Sequence, residues 1–375
     1  MMMDYPFFQE LLSIDSTSGK ERKVAEWLAE RLPGMFPEAN RLVLRADEVG
    51  DGTLNLLLTW GSPRIVFCSH LDTVPPYIKP EFPEGVFLSE PSLRDPSHKW
   101  APPSYAAEGG HRFGEEYPLR DDIIKGRGSC DAKGQVFAMV TACQRLAEAG
   151  ETGFGLLLLA GEETGSWGAK AFAKTGFQAE YLVVGEPTDN CMVSASKGTK
   201  SFDLKFKGEP FHSGYPQYGI SAVDLFVEFV NQLKHQDFRL DPLLGETTWN
   251  IGLLQSDNPQ NILSPELTCR IYFRTTFLSD EAVVAWMAGA PALLDGRLSV
   301  TPRGGDTPAR YWTVDSLPSK AVAFGSDAPH LTGFAHKAIC GPGSITVAHR
   351  DDEHVRVADL EKAVEQYLEI YRAVQ

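Results

Sequence analysis

Phe154–Ala160 and Tyr181–Val184 are unbroken apolar runs of strand length, and each ends against an acidic segment. A strand with one face in water alternates polar and apolar residues. A run with no polar face is buried on both sides, as in a largely parallel sheet covered by helices. Leu54–Thr59 and Arg64–Ser69 are two more short apolar runs, with the turn-forming Gly61-Ser62-Pro63 between them. Helical periodicity surrounds them. Residues 5–14 put Phe8, Leu11 and Leu12 in phase; residues 19–32 do the same for Val24, Trp27, Leu28 and Leu32, with Ser18 as the expected N-cap. Gln135–Glu148 carries Val136, Met139, Val140, Cys143, Leu146 and Ala147 on one face, and Val357–Val374 brings Leu360, Val364, Tyr367, Leu368 and Tyr371 into line. The expected first domain is therefore α/β, with a central, mostly parallel sheet.

The pattern changes in mid-chain. In Lys200–Lys207, Phe202, Leu204 and Phe206 alternate with Asp203, Lys205 and Lys207, the signature of a half-exposed strand. A helix over Ser221–Lys234 follows, then strands near Trp249–Leu254 and Leu267–Thr275, a helix over Asp280–Leu294 and a strand at Leu298–Pro302. This β-α-β-β-α-β order predicts a small α+β, ferredoxin-like sandwich. The 375 residues have room for two domains. The expected division is a discontinuous first domain, residues 1–193 and 306–375, interrupted by a second at 194–305. Residues 75–122 fit neither pattern. They are rich in Pro, Gly and charge, and they read either as a wall or lid over a site or as an inert surface excursion.

The formal net charge of −15 disfavours nucleic acid and anionic membrane as partners, since both require a basic face. No apolar run reaches membrane-spanning length. The opening MMMDYPFFQELLS has neither a basic n-region nor a small-residue cleavage site, so the expected location is the cytoplasm. Cys68, Cys130, Cys143, Cys191, Cys269 and Cys340 are scattered without a CxxC pair, as expected of reduced thiols.

Five short segments carry the chemistry: SHLDTVP, GRGSCDAKGQ, AGEETGS, VVGEPTD and GPGSITVAHRDDE. His70 and Asp72 follow a buried strand one residue apart, so both can point to the same side, one as a metal ligand and the other orienting it. Asp131 precedes a helix among glycines and could cap that helix, bridge two ions, or do both. Glu162 and Glu163 end a buried strand; adjacent acids repel unless a cation or proton intervenes, although a solvated acidic loop is the simpler reading of that pair alone. Glu186 repeats the arrangement after the next strand, and His349 follows the strand-like Ile345–Val347. Two histidines and three carboxylates supply enough N and O donors for two divalent ions sharing one carboxylate.

Together these segments resemble the M20 family of metal-dependent amidohydrolases and peptidases, which includes acetylornithine deacetylase, succinyl-diaminopimelate desuccinylase, aminoacylase and carboxypeptidase G. The resemblance spans nearly the whole chain. It implies a zinc-peptidase-like catalytic domain with an inserted lid and dimerisation domain. It further implies that His70 and Glu186 hold one metal, Glu163 and His349 the other, and Asp131 both. Asp72 would orient His70, and Glu162 would be the general base. His212, in Phe211-His212-Ser213-Gly214, would stabilise an oxyanion in the neighbouring subunit's site. Asn261 and Arg274 would bind a substrate carboxylate. The expected cofactors are two zinc ions, with cobalt or manganese compatible with the same donors. The expected activity is removal of an acyl group from an N-acyl amino acid, of the deacetylase or desuccinylase kind found in amino-acid biosynthesis. The alternative is a di-/tripeptidase or carboxypeptidase of the same family acting on short peptides. The expected assembly is a homodimer through the lid, whose strand edge near Lys200–Lys207 would pair with its copy.

Overall fold

The computed structural model describes residues 3–45, 52–83 and 122–375. The 75–122 stretch of unusual composition lies largely outside the described residues. In chain order the elements are α1 (Tyr5–Ser13), α2 (Arg22–Met35), β1 (Asn40–Arg45), β2 (Leu54–Trp60), β3 (Ile65–His70), β4 (Ile123–Lys125), α3 (Lys133–Glu148), β5 (Phe154–Leu159), α4 (Trp167–Ala173), β6 (Ala179–Val184), β7 (Met192–Ser196), β8 (Gly198–Lys207), α5 (Ala222–Lys234), β9 (Thr248–Gln255), β10 (Glu266–Thr275), α6 (Asp280–Leu293), β11 (Leu298–Gly304), β12 (Ala309–Arg310), β13 (Ser319–Val322), β14 (Phe334–Ile339), β15 (His354–Arg356) and α7 (Val357–Ala373). They form two compact units. The larger comprises Met1–Met192, Thr313–Pro318 and Ser326–Gln375, and the smaller Val193–Trp312 and Ser319–Gly325.

The larger unit is built on a six-stranded sheet in the order β1-β2-β5-β3-β6-β14. β5, β3, β6 and β14 run parallel, while at one side β2 pairs antiparallel with β5 and β1 antiparallel with β2. Every residue of β3 and β5 is buried, which is why these strands contain no alternation. Each fully buried Leu, Ile or Val there contributes about 1.5–3 kcal/mol of transfer free energy. Helix α3 packs on β3 and β5 and lies beside α7. Phe8 stacks on Phe137 at 4.5 Å and ties α1 to α3. Because β5, β3 and β6 are adjacent and parallel, their carboxyl ends deliver the Glu162–Glu163, His70 and Glu186 segments to one edge.

The smaller unit has a four-stranded antiparallel sheet, β11-β8-β10-β9, with α5 and α6 packed on it in the β-α-β-β-α-β order. Phe202, Leu204 and Phe206 of β8 enter a core with Phe229 of α5, Ile271 and Phe273 of β10 and Met287 of α6. On the other face, Asp203 stands opposite Arg270 and pairs with it at 2.7 Å. Residues 306–312 and 319–325 also cluster with this unit, because β12 and β13 flank β7 in a three-stranded sheet.

Three local expectations are corrected. Ser18 is not the cap of α2, which begins at Arg22 with Glu21 as N-cap; the Ser18 hydroxyl instead donates to Asp72 at 3.0 Å. Ile345–Val347 is not a strand. The apolar strand here is β14, and the chain then turns from Cys340 to His349, which has a left-handed φ of 62°. β8 offers no free edge, since it is paired with β10 and β11; the sheet's outer strands are β9 and β11.

Candidate metal centre

His70 ends β3 and is buried, as is Asp131 just before α3. His70 Nε2 lies 3.1 Å from Asp131 Oδ1, and the other oxygen of Asp131 lies 3.4 Å from His349 Nε2. His349 Nε2 also meets Glu163 Oε1 at 3.0 Å. Glu186, buried after β6, completes the first group. Ligand atoms of His70, Asp131 and Glu186 lie within 4.8 Å of one another, as do those of Asp131, Glu163 and His349. The two groups share Asp131. Its side chain faces the two imidazoles and makes no cap to α3, whose N-cap is Ala132.

This donor set can be tested against a metal ion by its spacing. Around a tetrahedral zinc with N and O ligands at about 2.0–2.2 Å, neighbouring ligand atoms stand about 3.3 Å apart. The 3.0–3.4 Å separations above match that spacing. A second sign is Glu186 Oε1, a buried carboxylate oxygen with no hydrogen-bond partner among the described residues, which is the kind of atom a cation satisfies. The residues therefore fit a pair of divalent ions.

Without a cation, protons occupy the same place. Hydrogen bonds to Asp131 and Glu163 hold the His349 imidazole up to about 10. Burial pushes His70 down, but hydrogen bonds to Asp131 and Asp72 outweigh it and leave it well above the usual histidine value. For Asp131, burial raises the carboxyl, yet the hydrogen bonds from His349 and His70 win and hold it below the usual range. Glu186 goes the other way: burial, then the charge of Glu162, push it well up. Burial likewise raises Glu162 well above an ordinary glutamate, with Asp327 and Glu163 adding to the shift against the pull of His70.

Asp72 does more than face the ring. His70 Nδ1 is 2.9 Å from the Asp72 backbone carbonyl and 3.4 Å from its carboxylate. That carboxylate accepts the backbone N–H of Glu162 (3.0 Å) on one oxygen and that of Glu163 (3.1 Å) on the other. One side chain thereby fixes both the His70 segment and the turn that carries the two glutamates.

His212, Asn261 and Arg274 belong to the smaller unit. His212 and Asn261 are exposed neighbours, joined through the Ser213 N–H donating to the Asn261 carbonyl at 2.9 Å. His212 Nδ1 accepts from the Gly214 N–H at 3.0 Å, which leaves the proton of a neutral ring on Nε2. Arg274, on β10, lies over the Tyr272 ring at 5.0 Å.

Two buried acids at the centre have no sequence signal of their own. Asp327 is buried, with Oδ1 unpartnered among the described residues; burial, acting against the opposing charge of His70 and a hydrogen bond from Ser166, pushes its carboxyl up to about 7. Glu353 is buried against the Asp131 loop, yet in the sequence it is only the last of three consecutive acids, Asp351-Asp352-Glu353, after His349.

Fold and site together define a metal-dependent hydrolase with an α/β catalytic unit and a smaller α+β unit. Residues 103–373 match the model of peptidase family M20/M25/M40, and the chain belongs to that family. A probable carboxypeptidase of Aspergillus oryzae is 30% identical over 401 residues, covering 98% of this chain and 89% of that protein. One from Aspergillus clavatus is 29% identical over 393 residues, covering 96% and 86%. Among solved structures, a tripeptidase of Staphylococcus aureus is similar with a TM-score of 0.76 at 20% identity, covering 100% of this chain and 99% of that one. An M20 family metallo-carboxypeptidase of Sulfolobus solfataricus gives 0.69 at 15% identity, covering 100% and 99%. These structural likenesses are of fold. Among the described residues no helix is long and apolar enough to cross a membrane.

Proposed function

We propose that the chain is a metal-dependent peptidase that hydrolyses an amide bond of short peptides, with release of a C-terminal residue as the favoured reaction. The observation that carries this reading is Asp131 shared between two histidine–carboxylate groups, with Glu162 next to Glu163. The choice of peptides over N-acyl amino acids rests on the relatives. Those quoted above are named as carboxypeptidases, and the structural neighbours as a tripeptidase and a metallo-carboxypeptidase, so the short-peptide alternative displaces the deacylase as first choice.

In this reading His70 and Glu186 hold one ion, Glu163 and His349 the second, and Asp131 both. Zinc is the expected metal, and cobalt or manganese would also suit these donors. When bound, such a pair would polarise the scissile carbonyl and make water acidic enough to be deprotonated near neutral pH. Glu162 takes the proton from the attacking water and returns it to the leaving amine. Asp72 fixes His70 and the Glu162–Glu163 turn. His212, with its proton on Nε2, serves as an oxyanion donor in the partner subunit's site. Asn261 and Arg274 receive the substrate carboxylate. The active form is a homodimer through the smaller unit, where β9 is an outer strand carrying exposed Leu253 and Leu254.

Zinc-loaded protein assayed against dipeptides, tripeptides, N-blocked dipeptides and N-acetyl or N-succinyl amino acids tests the proposal. Peptides with a free C-terminal carboxylate should be cleaved fastest. Preference for N-acyl amino acids by an order of magnitude or more in kcat/KM would restore the deacylase reading.

A further inference from the structure

The Asp131 loop is assembled around one buried side chain that belongs to the His349 segment. Glu353 Oε1 accepts three backbone N–H groups, from Gly128 at 2.9 Å and from Cys130 and Asp131 at 3.0 Å each. Its other oxygen accepts from Arg127 Nη1 at 2.6 Å, and both side chains are 1% exposed. The Gly126 N–H donates to the Glu353 backbone carbonyl at 3.0 Å, next to the pairing of β15 with β4 that puts His354 opposite Lys125. The loop on the other side is fitted as closely. A Cβ on Gly343 would stand 2.6 Å from Cys130 Sγ, and Gly343 has a φ of 76°.

A carboxylate that collects three converging N–H groups fixes the backbone course of the loop supplying them. Here the loop ends in Asp131, and the carboxylate lies four residues after His349. His70 and Glu186, by contrast, stand at or just past the ends of strands in the central sheet and meet this contact only through Asp131. We propose that Glu353 is a positioning residue of the metal centre: it sets Asp131 and His349 at their mutual distance and so governs chiefly the ion held by Asp131, Glu163 and His349, the group that draws two of its three ligands from these segments. Arg127 anchors the other oxygen and so fixes the direction in which the carboxylate faces the three amides. The inference rests on the two-ion reading of the site.

The test is a cobalt titration of metal-free wild type, Glu353→Gln and Glu353→Ala, followed by visible absorption, with thermal melts as the check of folding. Outer partners of metal ligands typically change affinity by about 10–100-fold. For Glu353→Ala the second ion should weaken by roughly that factor, with altered visible bands, while the first, which shares Asp131 but keeps His70 and Glu186, should weaken less. Glu353→Gln keeps an acceptor for the three amides but turns an NH₂ towards Arg127, so its loss on the second ion should be smaller, roughly three- to tenfold. On an accepted peptide, kcat should fall in the same order with KM little changed. Unchanged affinities and bands in Glu353→Gln, or a loss shared equally by both ions, would overturn the proposal, and the Gln variant decides it if the Ala variant does not fold. Wild-type protein that fails to bind two cobalt ions would instead overturn the two-ion reading and remove the premise.

Discussion

Replacing Asp72 by Asn changes the shape of the side chain hardly at all, yet it should be costly. The carboxylate is fully buried, and its two oxygens each accept a backbone N–H, from Glu162 and from Glu163. An asparagine offers one carbonyl oxygen and one NH₂. With the NH₂ towards Glu163, the Ser18 hydroxyl can turn and accept, but the Glu163 N–H then faces a donor. With the NH₂ towards Glu162, the Glu162 N–H is orphaned, and the NH₂ also faces His70 Nδ1, which donates to the backbone carbonyl of residue 72. No orientation serves both amides. An unmet buried N–H costs about 1–3 kcal/mol, and loss of charge from the surviving bond about another 1 kcal/mol, giving a total near 2–4 kcal/mol. Urea denaturation of the metal-free protein at neutral pH measures this directly. The sign on the acid side is also fixed. Burial raises Asp72, but its hydrogen bonds, led by that with His70, hold it below its usual 3.8. Its contribution is therefore complete above about pH 4 and is lost as pH falls through the lower folded value, so the variant should lose that part of the acid-side slope. Metal affinity should drop about 10–100-fold, because His70 loses its orienting partner. Asp72→Asn within about 0.5 kcal/mol of wild type and with unchanged zinc affinity would refute the reasoning.

Other outcomes follow from the same geometry. Glu162→Gln should keep both ions and lose about 10²–10⁴-fold in kcat, whereas Glu163→Gln should lose metal first; equilibrium dialysis beside steady-state kinetics separates them, and the reverse pattern would exchange their roles. Metal must displace the proton that Asp131 and Glu163 hold on His349 up to about 10. Apparent zinc affinity, measured by competition with a chromophoric chelator from pH 6 to 8, should then rise about tenfold per pH unit for each imidazole proton displaced. A pH-independent affinity would contradict this. If His212 works in the partner's site, mixing the inactive His212→Ala and Glu162→Gln variants should restore part of the activity through mixed dimers, and no recovery despite demonstrated subunit exchange would place His212 elsewhere.

What was legible in the sequence follows from burial. β3, β5 and β6 could be read because strands covered on both faces must be apolar along much of their length, and β8 because one face must be polar. Three of the five chemical segments stand out because they lie at the carboxyl ends of β3, β5 and β6. Ser18 reads as a cap because a hydroxyl before a helix looks the same whether it caps the helix or reaches 54 residues along the chain to Asp72. The apolar Ile345–Val347 looked like a strand, yet it belongs to the turn structure that delivers His349 with a positive φ. Glu353 was invisible for a related reason. Its neighbours Asp351 and Asp352 are exposed, and only tertiary pairing of β15 with β4 turns the third acid inward. Contacts between distant segments leave no local pattern, and the two buried acids without a sequence signal, Asp327 and Glu353, both depend on such contacts.

The central claim is that Asp131 joins two ions, and anomalous diffraction from a zinc-loaded crystal at the zinc edge tests it most directly. Two peaks are expected about 3.5–4 Å apart. One Asp131 oxygen should lie about 2.0–2.2 Å from each, with His70 and Glu186 on one ion and Glu163 and His349 on the other. A single peak at full occupancy under excess zinc, or two peaks with Asp131 outside the coordination of either, would contradict it.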